Sequence, residues 1–237
     1  MQWNYFILAL LITFGCGSKS NQKAPNTPNS PTIPEQGSKL NDLKTAIKNT
    51  KIASIYLTWE QEDTSTTMVV HYISKEKGTE SFVYYDTKQR NGVKTAYSSK
   101  KTARIQKIEN AKLYIHSFPL VSLNPNTPYY FILGDKKNGT SQELAFRTLP
   151  NDNTPIEFIQ GGDMSTSKYV TRIANFALTK NTRAIFVGGD LAYANGQTSR
   201  ASRWIQWFEK MNPTMVSPAG YLLPMIVALG NHETNLG

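Results

Sequence analysis

Cysteine occurs once in the 237 residues, at position 16, so no disulfide can close within the chain. Histidine is almost as scarce, with three residues, His71, His116 and His232, and none beyond the last. Acidic side chains are fewer than basic ones, 17 against 26, but the surplus is not gathered around any one motif. Residues 1–154 hold 19 Lys and Arg against 12 Asp and Glu, and residues 155–237 hold 7 against 5. A nucleic-acid enzyme concentrates basic charge at its site, so nucleic acid is not an expected partner. No apolar run is long enough for a confident membrane span, and no internal repeat is evident. What is present, 39% apolar and 11% aromatic residues, suits one or two folded domains with a substantial core.

The longest apolar run, "FILALLITFGC", has the length of an export signal and ends on Gly15-Cys16. It resembles a bacterial lipoprotein signal, although "MQWNY" carries no Lys or Arg and Thr13-Phe14 depart from the usual residues before the cysteine. The resemblance implies that residues 1–16 are a signal, that Cys16 takes a lipid anchor, and that the protein is exported and held at the cell envelope on a membrane. Residues 17–50 read as a Pro-rich linker and a short helix. Pro25, Pro28, Pro31 and Pro34 share one edge of an extended polyproline helix, which suits a stiff spacer. In "KLNDLKTAIKNT", Leu40, Leu43 and Ile47 fall at helical spacing, which fits a short packing helix or the end of the linker.

From about residue 51 the apolar period becomes two. "IYLTWEQ", "MVVHYIS", "SFVYYD", "KLYIHSFPLVSL" and "YYFILG" are short β-branched and aromatic strands separated by turn clusters, which predicts an antiparallel β-sandwich over 51–150. His71 and His116 lie in these strands with no metal-ligand pattern around them and are expected to be structural. Leu123, Pro125, Thr127 and Tyr129 resemble the corner before strand F of fibronectin type III domains, where the tyrosine hydroxyl ties back to nearby backbone. From 155 the order becomes strand, helix, strand, helix, strand, the signature of an α/β unit with a parallel sheet.

Each of those three strands ends alike: Gly162-Asp163, Gly189-Asp190, Gly230-Asn231-His232. In an open parallel sheet the carboxyl ends of the strands face the ligand crevice, and a glycine lets the chain turn so that the next side chain enters it. Asp163, Asp190 and Asn231 would then converge on one point, and hard oxygen donors from separate strands suit a divalent or trivalent cation. Glu233 is expected to orient a neighbour rather than to act in catalysis.

Gly-Asp, Gly-Asp-x-x-Tyr and Gly-Asn-His-Glu, in that order after a sandwich, resemble the purple acid phosphatases of the metallophosphoesterase superfamily. The resemblance implies a fold of two parts, an antiparallel fibronectin type III-like sandwich over 51–150 and an incomplete α/β metallophosphoesterase domain over 155–237. It implies a binuclear centre of Fe(III) and a divalent metal (Fe, Zn or Mn). Asp163 and Tyr193 would bind the ferric ion, Asp190 would bridge, Asn231 would bind the second metal, and His232 would contact the phosphate ester substrate or assist proton delivery. Ser165 stands where the family often has glycine. The family's later histidine motifs, which supply three more ligands, are absent, so a fragment or an interrupted reading frame is expected. The activity implied is phosphate monoester hydrolysis. A phosphodiesterase of the same superfamily, and a non-catalytic truncated envelope lipoprotein whose sandwich binds a partner, remain open.

Overall fold

The alternating segments pair as their period requires. A computed structural model describes residues 37–38, 43–108 and 111–234. One sheet runs β1 (Ile52–Thr58), β2 (Met68–Ser74), β6 (Leu113–Leu120), β5 (Arg104–Ile108) in spatial order. The facing sheet runs β4 (Ser99–Thr102), β3 (Phe82–Asp86), β7 (Pro128–Asp135), with β8 (Gly139–Thr140) and β9 (Leu144–Arg147) both on β7. All pairings in the two sheets are antiparallel. Tyr129 closes the corner before β7: its hydroxyl accepts the Asn124 amide at 2.8 Å. Pro128 opens that strand, where its missing N–H costs no ladder bond.

Period two predicts burial of one face only, yet β2 and β7 are buried along their whole length. The reason is a second layer of structure against the sandwich. A parallel sheet, β10 (Glu157–Gly161), β11 (Thr182–Val187), β12 (Met225–Val227), is joined through α2 (Lys168–Ala177) and α3 (Ser202–Met211). Trp207 and Met211 of α3 are fully buried, and Phe208 stacks on Tyr56, which itself stacks on His71. The Ser54 hydroxyl donates to Asn212 Oδ1 at 2.9 Å, and Leu57 forms a parallel bridge with Pro224. The Leu222 amide donates to Ala145 O, at the edge of the other sheet. Sandwich and parallel sheet therefore share one apolar core, although composition changes sharply between them.

Residues 43–50 also belong to this body. The helical turn α1 (Leu43–Ala46) buries Leu43 and Ala46 completely, and Ala46 O accepts the Gln142 amide. Of the stretch expected to be a short packing helix or the end of the linker, residues 43–46 form one buried helical turn. His71 and His116 sit between hydroxyls, Thr58 and Ser117 for the first and Ser74 and Ser81 for the second, in structural roles. Cys16, the signal and the proline spacer lie outside the described residues. Among the described residues no helix is long and apolar enough to cross a membrane.

Candidate active site

The carboxyl ends of β10, β11 and β12 lie side by side because the sheet is parallel and in register, Gly161 beside Val187 beside Val227. Beyond them the three loops bond to one another. The Asp163 amide donates to Gly189 O, Met164 to Asp190 O, and Gly188 to Gly161 O. Such close loops need missing side chains. Gly189 has φ +92, and a Cβ there would stand 2.5 Å from the Gly230 nitrogen. A Cβ on Gly230 would stand 2.1 Å from Asp190 Oδ1. The two glycines thus let the Asp190 carboxylate lie directly over the β12 loop.

Asp163, Asp190 and Tyr193 all adopt left-handed backbone, φ 51, 55 and 56, as do Ser165 and Asn195. Each such non-glycine residue costs on the order of 1 kcal/mol, and strain of this kind clusters at functional sites. The structure brings Asp163 and Tyr193 together: the phenol donates to Asp163 Oδ1 at 3.3 Å. It brings His232 to the loop after β11. The His232 amide donates to Asp190 Oδ1 at 2.9 Å, and its ring stacks on Tyr193 at 4.0 Å between centroids. Asn231 stands exposed on the rim of the same loop. Burial, and then the charges of Asp163 and Asp190, push the Tyr193 phenol above its ordinary value, so without a cation nearby it keeps its proton.

Two supporting residues were not singled out by the motifs. Asn195 holds His232 twice, its amide donating to His232 O and its Oδ1 facing Nδ1 at 2.7 Å. An amide oxygen only accepts, so with Oδ1 as the partner Nδ1 carries the proton and Nε2 is free of it in the neutral ring. Arg203 of α3 donates to Ala192 O at 2.7 Å and reaches Ser165 Oγ at 3.4 Å, spanning two loops. The position of Asn195 two residues past Tyr193 was the only available sequence signal. Glu233 does orient its neighbours: one carboxylate accepts the amides of Asp190, Leu191 and Gly230 at 2.7, 2.8 and 2.9 Å.

The fit to a metal can be judged from the donors. Among the described residues no group of three or more His, Cys, Asp or Glu is placed to hold an ion. Tyr193 and Asn231 stand outside that set of residue types and add a phenol and an amide oxygen. Asp163, Tyr193 and Asp190 are oxygen donors only, so they fit a hard cation in kind. They do not by themselves complete a two-metal site.

Residues 52–148 match the family model described as the purple acid phosphatase N-terminal domain. Purple acid phosphatase 21 of Arabidopsis thaliana is 30% identical over 119 residues, covering 50% of this chain and 24% of its own length. Probable purple acid phosphatase 20 of the same plant is 31% identical over 114 residues, covering 47% and 23%. Probable inactive purple acid phosphatase 1 is 31% identical over 140 residues, covering 51% and 22%. The chain thus spans about a quarter of the length of these curated relatives.

Proposed function

We propose, from the premise that residues 52–148 are a purple acid phosphatase N-terminal domain, that the chain carries part of a metal-dependent phosphoesterase acting on phosphate monoesters. The observation that carries this reading is the meeting of Asp163, Asp190, Tyr193 and His232 at the ends of three parallel strands. Asp163 and Tyr193 would hold one cation, Fe(III) by the chemistry of a phenolate donor, with Asp190 beside them and Asn231 offering an amide oxygen to a second, divalent ion. A cation bound there supplies Lewis acidity toward a phosphoryl oxygen.

The chain's own residues do the rest. His232, with Nδ1 engaged by Asn195, presents Nε2 to the substrate. Protonated, that nitrogen donates to a phosphoryl oxygen or to the leaving group; neutral, it accepts a proton. The Glu233 clamp fixes the Asp190 turn, so the carboxylate does not have to be ordered on binding. The apolar run ending in the sole cysteine supports the further reading that the protein is exported and anchored by lipid at Cys16.

Titration of the purified chain with Fe(III) tests the site. A phenolate–iron bond gives a visible charge-transfer band, and Tyr193→Phe should remove it while circular dichroism is unchanged. A band of equal strength in Tyr193→Phe, or none in the wild type, would end this assignment. Turnover of p-nitrophenyl phosphate against its bis ester separates monoester from diester chemistry.

A further inference from the structure

A second concentration of polar chemistry lies at the other end of the parallel sheet. Arg183 sits at the start of β11, seven residues and roughly 20 Å along the chain from Asp190. It shares a cavity of about 560 Å³ with Arg147, Lys180, Asn181, Pro218, Ala219 and Tyr221. The elements meet there because the end of β9, the start of β11 with the loop before it, and the loop 217–221 converge, the last held to β9 by the Leu222 amide on Ala145 O. Tyr221 and Ala219 are buried and form the floor, packed with Tyr130 and Ala145. Both arginine residues are half-buried.

Two arginines side by side in a partly dry cavity repel each other unless an anion lies between them. Burial, and then the Arg147 charge, lower the Arg183 pKa from its ordinary value. Neither guanidinium forms an ion pair with a carboxylate among the described residues. Arg147 donates through Nε to Asn126 O at 3.1 Å, and its side chain lines the cavity. The carboxylate of Glu157 acts on Arg183 through its charge, and its two oxygens already accept from Thr179 and Asn181.

We propose that this cavity is a binding site for a phosphate group, as the free ion or on a small ester, held by Arg147, Arg183 and Lys180. Two planar forks and one ammonium supply enough donors for the oxygens of a dianion, and arginine's geometry suits bidentate contact with it. The site needs no metal and is remote from Asp163, so it stands or falls independently of the phosphoesterase reading. Its position, bonded to both sheets, lets an anion there fasten the sandwich to the parallel sheet.

The test is calorimetric titration of inorganic phosphate, and separately of glycerol 3-phosphate, into the chain in low salt with a chelator present. Saturable binding of one anion per chain is expected; binding of both ligands marks a site for esters, and of phosphate alone a site for the free ion. Arg183→Gln should weaken it at least tenfold, and Lys112→Gln, which removes one positive charge elsewhere, should not. If Arg183→Gln fails to fold, the exposed Lys180→Gln should still weaken binding severalfold. No binding by the wild type, or equal binding in the folded Arg183→Gln and Lys180→Gln variants, overturns the proposal.

Discussion

At the scale of single residues, the candidate site depends on groups that never touch a substrate. Glu233 neutralises three backbone donors from two loops with one carboxylate, and those donors have no other partner in the turns they belong to. Bonds from amides to a charged acceptor are worth about 1.5–3 kcal/mol each when buried, and less here because Glu233 is partly exposed. Glu233→Ala should cost about 2 kcal/mol and release the amides of Asp190, Leu191 and Gly230 to exchange, while the amides of β2 and β6 keep their protection. Unchanged exchange at those three amides would show that the clamp is idle. Much of this was legible beforehand. The glycines at the strand ends and the acid after each one follow from what a tight turn needs, and a carboxylate after Gly-Asn-His could be expected to orient a neighbour. The engagement of His232 by Asn195 was not legible, because it depends on two loops whose approach only the packed sheet defines.

At the scale of elements, the period of the apolar residues gave the strands and helices, but not which faces would be covered. β2 reads as half-buried from its alternation and is buried on both faces, since α3 and Tyr56 roof the side that carries His71. That roof has an electrostatic consequence. Burial, helped by Arg104 nearby, pulls the His71 pKa down to about 4, and burial pulls His116 to about 4 against the opposing pull of Asp135. In the unfolded chain both titrate near 6.5, so between about 4 and 6.5 the unfolded state binds more protons. Stability from these two residues is therefore complete above pH 6.5 and is lost as pH falls toward 4. Each contributes about 2–3 kcal/mol at neutral pH by this linkage. The urea midpoint should fall steeply from pH 6.5 to 4.5, and His71→Gln should flatten part of the slope. A midpoint that stays level across that window would contradict the buried neutral state of both rings.

At the scale of the whole molecule, both crossovers run in the same direction, β10 to β11 to β12, so right-handed connections place α2 and α3 on one face of the parallel sheet. Ile159, Ile185 and Met225 point to that face and are covered to differing degrees. The register puts Gln160, Phe186 and Ile226 on the opposite face, with Phe158 two residues before Gln160. Phe158 is 53% exposed and Ile226 43%, and Ile156, two residues before Phe158, is exposed too. Phe158 meets Phe186 edge-on at 4.6 Å, so the apolar side chains form a patch rather than isolated sites. Contiguous apolar surface on a flat sheet face drives association. The chain as described should therefore self-associate through this face. The double substitution Phe158→Lys and Ile226→Lys should restore a monomer in analytical ultracentrifugation, since two lysines on one face repel their copies in a second molecule. It should leave the melting temperature within a few degrees, because both side chains already meet solvent and little burial is lost. A lysine variant that associates as readily as the wild type would place the sticky surface elsewhere, and one that unfolds would show that this face is packed in solution.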